Sequence, residues 1–522
     1  MNRKKIISLI SNNPKKIIFG AGFFSASAFA PFNLVFILFF CLPIFYLVIL
    51  NSSSQKTAFI NGLIFGYGYF LAGIYWIAIS LLVDIAKFAW LVPFALTIIP
   101  CFLALYFALL ASFFNYIIYR FKILICYQKI IILAILWVII EMMRSTLFSG
   151  FAWNLLGYSA LFSISFSQIA SVFGVYFLSF VLVLIALTPL YFFEKKITKI
   201  DKFFLIIVAI FVIINFGYGL LKIKNNNLAK DSESLNIRMV QANIKQEMKW
   251  DQEQKYQNLI KHIELTRSRS LSDVDAVVWS ESSVPYIIED NQQLFKILKL
   301  ATSKNSSLIT GALRVERNQN QEVTKIFNSV FVIDSNSVSD NYDKHHLVPF
   351  GEYVPLQKFL SFLFVDNIVD KITSGALGFS SGDGAKTIKT NKFSFNPLIC
   401  YEVIFSTEII KTDQKPDLFI NVTNDGWFGK SSGPYQHLAM SQMRSIEYSI
   451  PMVRVAGTGI SAGIDGYGRI VDKIALNQEG VIDVKLFKNQ LRSFYHQYGN
   501  YPLLFMMLVL TLIVFVIDRK KS

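Results

Sequence analysis

Three short polar clusters interrupt apolar runs in the C-terminal half of this 522-residue chain. They are Trp279-Ser280-Glu281-Ser282-Ser283, the stretch from Tyr342-Asp343-Lys344-His345-His346 to Gly351-Glu352-Tyr353, and Ile399-Cys400-Tyr401-Glu402. Together they offer a carboxylate, an ammonium and a thiol. A thiol attacks as its thiolate, and with an ordinary pKa near ~8.5 only a few per cent is ionised at neutral pH, so it needs a base. Glu281 is the candidate base. A carboxylate of ordinary pKa is too weak for that task unless burial raises it or an adjacent ammonium favours the ion pair. Lys344 would supply the ammonium and, with a backbone N–H just after Cys400, would stabilise a tetrahedral oxyanion. Losing one such donor typically costs ~3 kcal/mol. Each residue alone also has a plain structural reading: Glu281 as a carboxylate at a helix start, Lys344 as a surface charge, Cys400 as a small buried apolar side chain.

Of the four cysteines, Cys41, Cys101 and Cys126 lie in or beside long apolar stretches, which leaves Cys400 without a disulfide partner. His345, His346 and His437 are alternative bases for a Cys–His hydrolase, although no papain-type signature surrounds Cys400. No His/Cys cluster has metal-ligand spacing, so neither a metal nor another cofactor is expected.

The elements that must position these groups are legible over residues 236–485. Candidate strands are Ile237–Ala242, Ala276–Ser280, Leu308–Ala312, Ser329–Ile333, Phe395–Cys400, Leu418–Val422 and Met452–Ala456, with helical patterns over 251–271, 291–303 and 433–449. The alternation predicts an α/β domain with its chemistry at strand ends.

The rest of the chain is solvated differently. Hydrophobic residues make up 53% and charged residues only 16%, and the mean hydropathy is +0.46, which points to a bilayer as part of the solvent. Runs of ~20 apolar residues span a membrane, and eight are read here: 16–31, 33–50, 57–80, 88–117, 130–145, 162–192, 203–221 and 500–518. Arg3, Lys4, Lys5, Lys15 and Lys16, then Arg120, Lys122 and Lys129, then Lys195, Lys196, Lys199 and Lys202, and finally Arg519, Lys520 and Lys521 all fall on one side if eight spans cross. Positive residues mark the cytoplasmic side. The expected domains are therefore a membrane part over 1–221, an extracytoplasmic catalytic part over 222–499, and a last span with a cytoplasmic tail over 500–522. The net charge of +15 sits largely in these clusters, where it meets anionic headgroups rather than nucleic acid. Ser25 to Ala30 imitates a signal-peptidase site, but Pro31 is a poor context for cleavage.

The ordered Glu281, Lys344 and Cys400 resemble the triad of the nitrilase superfamily, whose fold is an αββα sandwich. The segments Trp279-Ser280-Glu281, Lys344 to Glu352 (K-x-H-L-V-P-F-G-E), Cys400-Tyr401-Glu402 and Asn424-Asp425-Gly426-Trp427-Phe428-Gly429 narrow the likeness to the apolipoprotein N-acyltransferases. Gln241 to Ile244, Lys249-Trp250, Glu141 with Arg144, Gly150 to Asn154 and Gly157-Tyr158 agree. Gly426 departs from the pattern, where Ala is expected, and is read as loosening the loop of Trp427. The resemblance implies a multi-pass inner-membrane enzyme with its catalytic domain on the extracytoplasmic side. Its Cys400 takes an acyl chain from a phospholipid as a thioester and passes it to the α-amino group of a diacylglyceryl-cysteine on an apolipoprotein.

On this reading Glu352 orients Lys344 or shares its charge, and Tyr401 and Glu402 shape the pocket, Glu402 having an ion-pair role as its alternative. Trp250, Trp427 and Phe428 are either core aromatics or a lid over the acyl chain. Glu141 and Arg144 are placed near the outer interface, where they would pair and help receive a headgroup. Drawing a sixteen-carbon chain into water costs on the order of 12 kcal/mol at ~0.8 kcal/mol per CH₂. An apolar segment such as 359–365 is therefore a candidate arm into the interface. A nitrilase-type amidase acting on a small amide would need one anchor rather than eight spans. A transporter or receptor would carry more ionisable residues within its spans.

Overall fold

Long apolar segments and β-rich segments separate in space as they do in sequence. A computed structural model describes residues 13–123, 125–193, 197–225, 233–249, 251–289, 291–335, 337–353, 355, 378–411, 413–488 and 492–519. Trp250, the candidate arm 359–365, the basic residues Arg3 to Lys5, Lys195, Lys196, Lys520 and Lys521 lie outside these. Two compact units form: one holds 1–82, 90–225 and 493–522, the other 83–89 and 226–492.

The first unit is helical. Among the described residues, five helices are long and apolar enough to cross a membrane, over Gln55–Ile74, Ile85–Arg120, Cys126–Ser149, Ala170–Phe193 and Lys199–Asn225. Val35–Leu50 and Tyr501–Phe515 are shorter apolar helices, and Pro14–Ser25 has only 12 residues. The run 162–192, read from sequence as one long span, is broken instead. A 3-10 segment over Leu156–Phe162 and a single turn over Ile164–Ser167 precede the helix Ala170–Ala186. Within that helix Gly174 has φ +78°, and a Cβ there would lie 2.4 Å from the Tyr495 ring, so only glycine fits.

Glu141 and Arg144 are both buried. Arg144 Nη1 donates to the carbonyls of Phe151 and Trp153 at 2.5 and 2.7 Å, and Glu141 Oε1 accepts from Trp137 Nε1 at 3.0 Å and from the Leu156 N–H at 2.7 Å. These bonds show the two residues holding the loop 151–156.

The second unit is built on two six-stranded sheets. The first contains β1 (Ser234–Gln241), β2 (Ala276–Trp279), β3 (Ser307–Arg317), β4 (Val323–Ile333), β5 (Val338–Asp343) and, from the end of the unit, β12 (Gly480–Phe487), in the order β12-β1-β2-β3-β4-β5. The second contains β6 (Ile388–Lys389), β7 (Ser394–Ile399), β8 (Leu418–Thr423), β9 (Met452–Ala456), β10 (Ser461–Ile464) and β11 (Ile470–Ile474), in the order β11-β10-β9-β8-β7-β6. The strands β1-β2-β3 and β7-β8-β9 run parallel, and the flanking pairs are antiparallel.

Alternation along the strands explains the layering. Ile237, Met239, Ala276, Val278, Ile309, Val330 and Val332 of the first sheet share one core with Phe395, Ile399, Leu418, Ile420, Val422, Val453 and Val455 of the second. On the opposite face of the first sheet, Val240, Val277, Trp279, Leu308, Phe331 and Ile333 pack on Leu259, Ile263, Leu294 and Leu298 from the helices Lys255–Arg267 and Gln292–Leu298. The helix Gly433–Tyr448 borders the second sheet, with the Tyr448 ring edge-on to Phe419 of β8 at 5.7 Å. Both faces of the central strands are therefore covered, which is why they read as unbroken apolar runs. The expected strands all occur, with β3 and β4 extended into a long hairpin. The strands missing from the sequence reading lie toward the sheet edges, and most are polar or short, as Val338–Asp343 is.

Candidate active site

Each of the three chemical residues stands at the end of a strand. Glu281 follows β2 by two residues, Lys344 directly follows β5, and Cys400 directly follows β7. The strand expected to reach Cys400 stops at Ile399, because Cys400 takes φ +49° and opens the 3-10 turn Cys400–Ile404. Glu402 enforces that elbow by folding back to accept the Ile399 N–H through Oε2 at 2.7 Å. Its Oε1 accepts from Tyr342 Oη at 2.8 Å and from the His345 N–H at 2.9 Å, and His345 Nδ1 lies 2.7 Å away. Glu402 is thus a buried strut between the lysine-bearing segment and the elbow.

Glu281 is 7% exposed and Lys344 is completely buried. Lys344 Nζ lies 2.8 and 2.7 Å from the two carboxylate oxygens of Glu352, which also accepts the Val348 N–H at 2.8 Å. One residue not identified from sequence, Asn328 of β4, ties the groups together. Its Nδ2 donates to Glu281 Oε1 at 2.7 Å and to Glu352 Oε1 at 3.2 Å, while its carbonyl accepts the Lys344 N–H at 2.9 Å. The signal was the Asn328-Ser329 pair set between the apolar residues Ile326-Phe327 and Val330 to Ile333 of β4. Lys249 Nζ donates to the Glu281 carbonyl at 2.7 Å, and burial pushes its pKa down to about 8 against the pull of Glu281 and Cys400.

The turn of Glu281 depends on Gly311 of β3. A Cβ there would lie 2.4 Å from the Ser282 nitrogen and 2.7 Å from the Glu281 Cα. The second carboxylate oxygen of Glu281, Oε2, is buried and has no hydrogen-bond partner among the described residues. It is the oxygen left over to take a proton.

Electrostatics separate Glu281 from Cys400. Burial raises the Glu281 pKa, Lys344 lowers it, Glu352 raises it and Lys249 lowers it, with the net direction upward. Burial pushes the Cys400 thiol up to about 12, aided by the charges of Glu281 and Asp425 and opposed by Lys344 and a hydrogen bond from Thr423. Burial acts to lower the Lys344 pKa, but Glu352, Glu281 and Cys400 outweigh it and hold the ammonium charged.

The remaining sequence candidates divide. Tyr401 packs its ring edge-on to Phe405 at 5.1 Å and near His346 at 5.7 Å. Phe428 stands edge-on to His437 at 5.9 Å, whereas Trp427 is 41% exposed. Gly426 sits in a tight turn where a Cβ would meet Asn424 Oδ1 at 3.1 Å and Thr458 Oγ1 at 3.2 Å. His437 Nε2 faces the Cys400 carbonyl oxygen at 3.1 Å. Among the described residues no group of three or more His, Cys, Asp or Glu side chains is placed to hold a metal ion.

Residues 236–495, which carry both sheets and the cysteine, lysine and glutamate at their strand ends, match the family model described as carbon-nitrogen hydrolase. Residues 21–188 match the model described as apolipoprotein N-acyltransferase N-terminal domain. The apolipoprotein N-acyltransferase of Rickettsia prowazekii (strain Madrid E) is 35% identical over 95% of this chain and 97% of its own length. That of Rickettsia typhi is 35% identical over 97% and 99%, and that of Rhodopseudomonas palustris is 34% identical over 96% and 94%. The chain belongs to the apolipoprotein N-acyltransferase family.

Proposed function

We propose that this chain transfers a fatty acyl group from a phospholipid to the α-amino group of an apolipoprotein's N-terminal diacylglyceryl-cysteine, with Cys400 as carrier, Glu281 as base and Lys344 as oxyanion partner. The observation that carries the reading is the buried thiol on a left-handed elbow, within electrostatic reach of the Glu281 carboxylate and the Lys344 ammonium, in a chain whose other unit consists of apolar helices.

The chemistry follows from the pKa order. A thiol held near 12 beside a weaker base does not rest as a thiolate; its proton moves as the sulfur attacks. In the first half-reaction the Cys400 Sγ–C bond forms and the ester C–O bond breaks. Glu281 takes the thiol proton and delivers it to the departing lysophospholipid oxygen. In the second the acceptor amine forms the C–N bond, the C–S bond breaks, and Glu281 passes the amine proton to the departing sulfur. The ammonium of Lys344 faces the negative charge that develops in both tetrahedral intermediates. Glu352 holds that ammonium in place.

All eight apolar runs cross a membrane in this proposal, the shorter ones included, with both termini on the cytoplasmic side and 222–499 outside it. The one-sided distribution of Lys and Arg supports that orientation.

The test is direct. Purified protein mixed with acyl-labelled phospholipid forms a thioester that hydroxylamine releases, and Cys400→Ala and Cys400→Ser abolish it. Labelling that survives in the alanine variant overturns the assignment.

A further inference from the structure

A closed circuit of buried side chains surrounds the elbow. Starting on one side, Asn421 Nδ2 donates to the Leu398 carbonyl at 3.0 Å, and Asn421 Oδ1 accepts from Arg454 Nη1 at 2.5 Å. Arg454 Nη2 continues to Asp425 Oδ2 at 2.7 Å. Asp425 Oδ1 lies 2.9 Å from His437 Nδ1 and accepts from Thr423 Oγ1 at 3.1 Å. His437 Nε2 closes the circuit at the Cys400 carbonyl, 3.1 Å away. Asn421, Asp425, His437 and Arg454 are all essentially inaccessible.

A carbonyl oxygen only accepts, so His437 Nε2 carries a proton. The other nitrogen either donates to Asp425 or accepts from Arg454 Nη2 at 3.1 Å; Nε2 donates in both states. The bond therefore sets the orientation of the 400–401 peptide. That peptide is planar and trans, so its C=O and N–H point in opposite directions. Holding the Cys400 carbonyl toward His437 turns the Tyr401 N–H the other way, and a donor on the carbonyl polarises the amide and strengthens its N–H.

We propose that His437 is a positioning residue for oxyanion stabilisation, acting through the Cys400 carbonyl to aim and strengthen the Tyr401 N–H. This inference rests on the acyl-transfer reading above.

The test compares two reactions of Cys400 in the full-length protein. Acylation by acyl-labelled phosphatidylethanolamine in detergent micelles passes through an oxyanion; alkylation by iodoacetamide, which forms an S–C bond as iodide leaves, does not. His437→Asn puts an amide at the Nδ1 position and loses the donor to Cys400. His437→Gln puts one at the Nε2 position and keeps it. The Asn variant is expected to acylate roughly 100-fold more slowly, by analogy with the loss of one oxyanion donor, with alkylation within about threefold of wild type. The Gln variant is expected to acylate within about tenfold. Equal acylation by the two variants, or acylation and alkylation falling together, overturns the proposal. If the Asn variant does not fold, the Gln variant decides: normal alkylation with acylation abolished overturns it. Failure of the wild-type protein to acylate would instead remove the underlying reading.

Discussion

Replacing Asn328 with Leu tests the electrostatic design of the site most sharply. Leucine fills most of the volume of the amide but removes the single Nδ2 that donates to Glu281 at 2.7 Å and to Glu352 at 3.2 Å. A hydrogen bond to a charged group contributes about 1.5–3 kcal/mol, and the shorter bond goes to Glu281, the proposed base. The bond favours the ionised carboxylate, and it lowers a Glu281 pKa that burial and Glu352 raise. Removing it leaves the base protonated to higher pH. The acidic limb of the acylation rate moves upward, and at a pH on that limb the rate falls roughly 10- to 100-fold, since ~1.4 kcal/mol is tenfold. Above the limb the rate recovers most of its wild-type value, because the thiol, the elbow and the two Lys344–Glu352 contacts remain. Single-turnover acyl-enzyme formation from labelled phospholipid, followed from pH 5 to 9, measures this. A uniform loss at every pH, or an unmoved acidic limb, would refute the role given to Asn328 and weaken the case for Glu281 as the base.

Three further outcomes are expected. Gly311→Ala forces a Cβ to within 2.4 Å of the Ser282 nitrogen; the collision is with backbone, so thermal unfolding should show a loss of about 1–3 kcal/mol from overpacking, with acylation at least tenfold slower as Glu281 shifts. Glu352→Gln leaves the fully buried Lys344 ammonium without the carboxylate now 2.7 Å away, and urea unfolding should register a loss of about 3–5 kcal/mol, the range for breaking a buried pair from one side. Asp425, whose pKa falls from 3.8 to about 2 because Arg454 and His437 outweigh its burial, contributes about 2 kcal/mol of stability. Because the folded-state value is the lower one, that contribution is present above pH ~4 and lost as the pH falls toward 2. Asp425→Asn should flatten that part of the acid-unfolding curve, and an unchanged curve would contradict the assignment.

The residues that perform the proposed chemistry were legible because of where they stand. Buried parallel strands show as continuous apolar runs, so a polar residue directly after such a run marks a strand end. Glu281 and Cys400 stand at such ends, whereas Lys344 follows the polar edge strand β5 and was identified, with Glu352, from its motif. The residues that fix their geometry follow no local rule. Asn328, Arg454 and Asn421 are polar side chains within strands, and nothing nearby in the chain announces their partners. Asn328 meets a carboxylate 47 positions away, and Arg454 meets one 29 positions away.

What the sequence determined by itself was periodicity and composition: which segments are apolar enough for a bilayer, which alternate as α and β, and which thiol has no disulfide partner. Local pattern suffices there, because burial on one or two faces leaves a repeating trace. Only the tertiary structure decided that Lys344 has no exposure and two contacts to Glu352. It also showed that Glu402 braces the elbow, that His437 addresses the Cys400 carbonyl, and that Glu141 and Arg144 hold a loop. Hydrogen bonds and charge pairing act over a few ångströms between residues far apart in the chain, and that proximity exists only once the strands have been ordered into sheets.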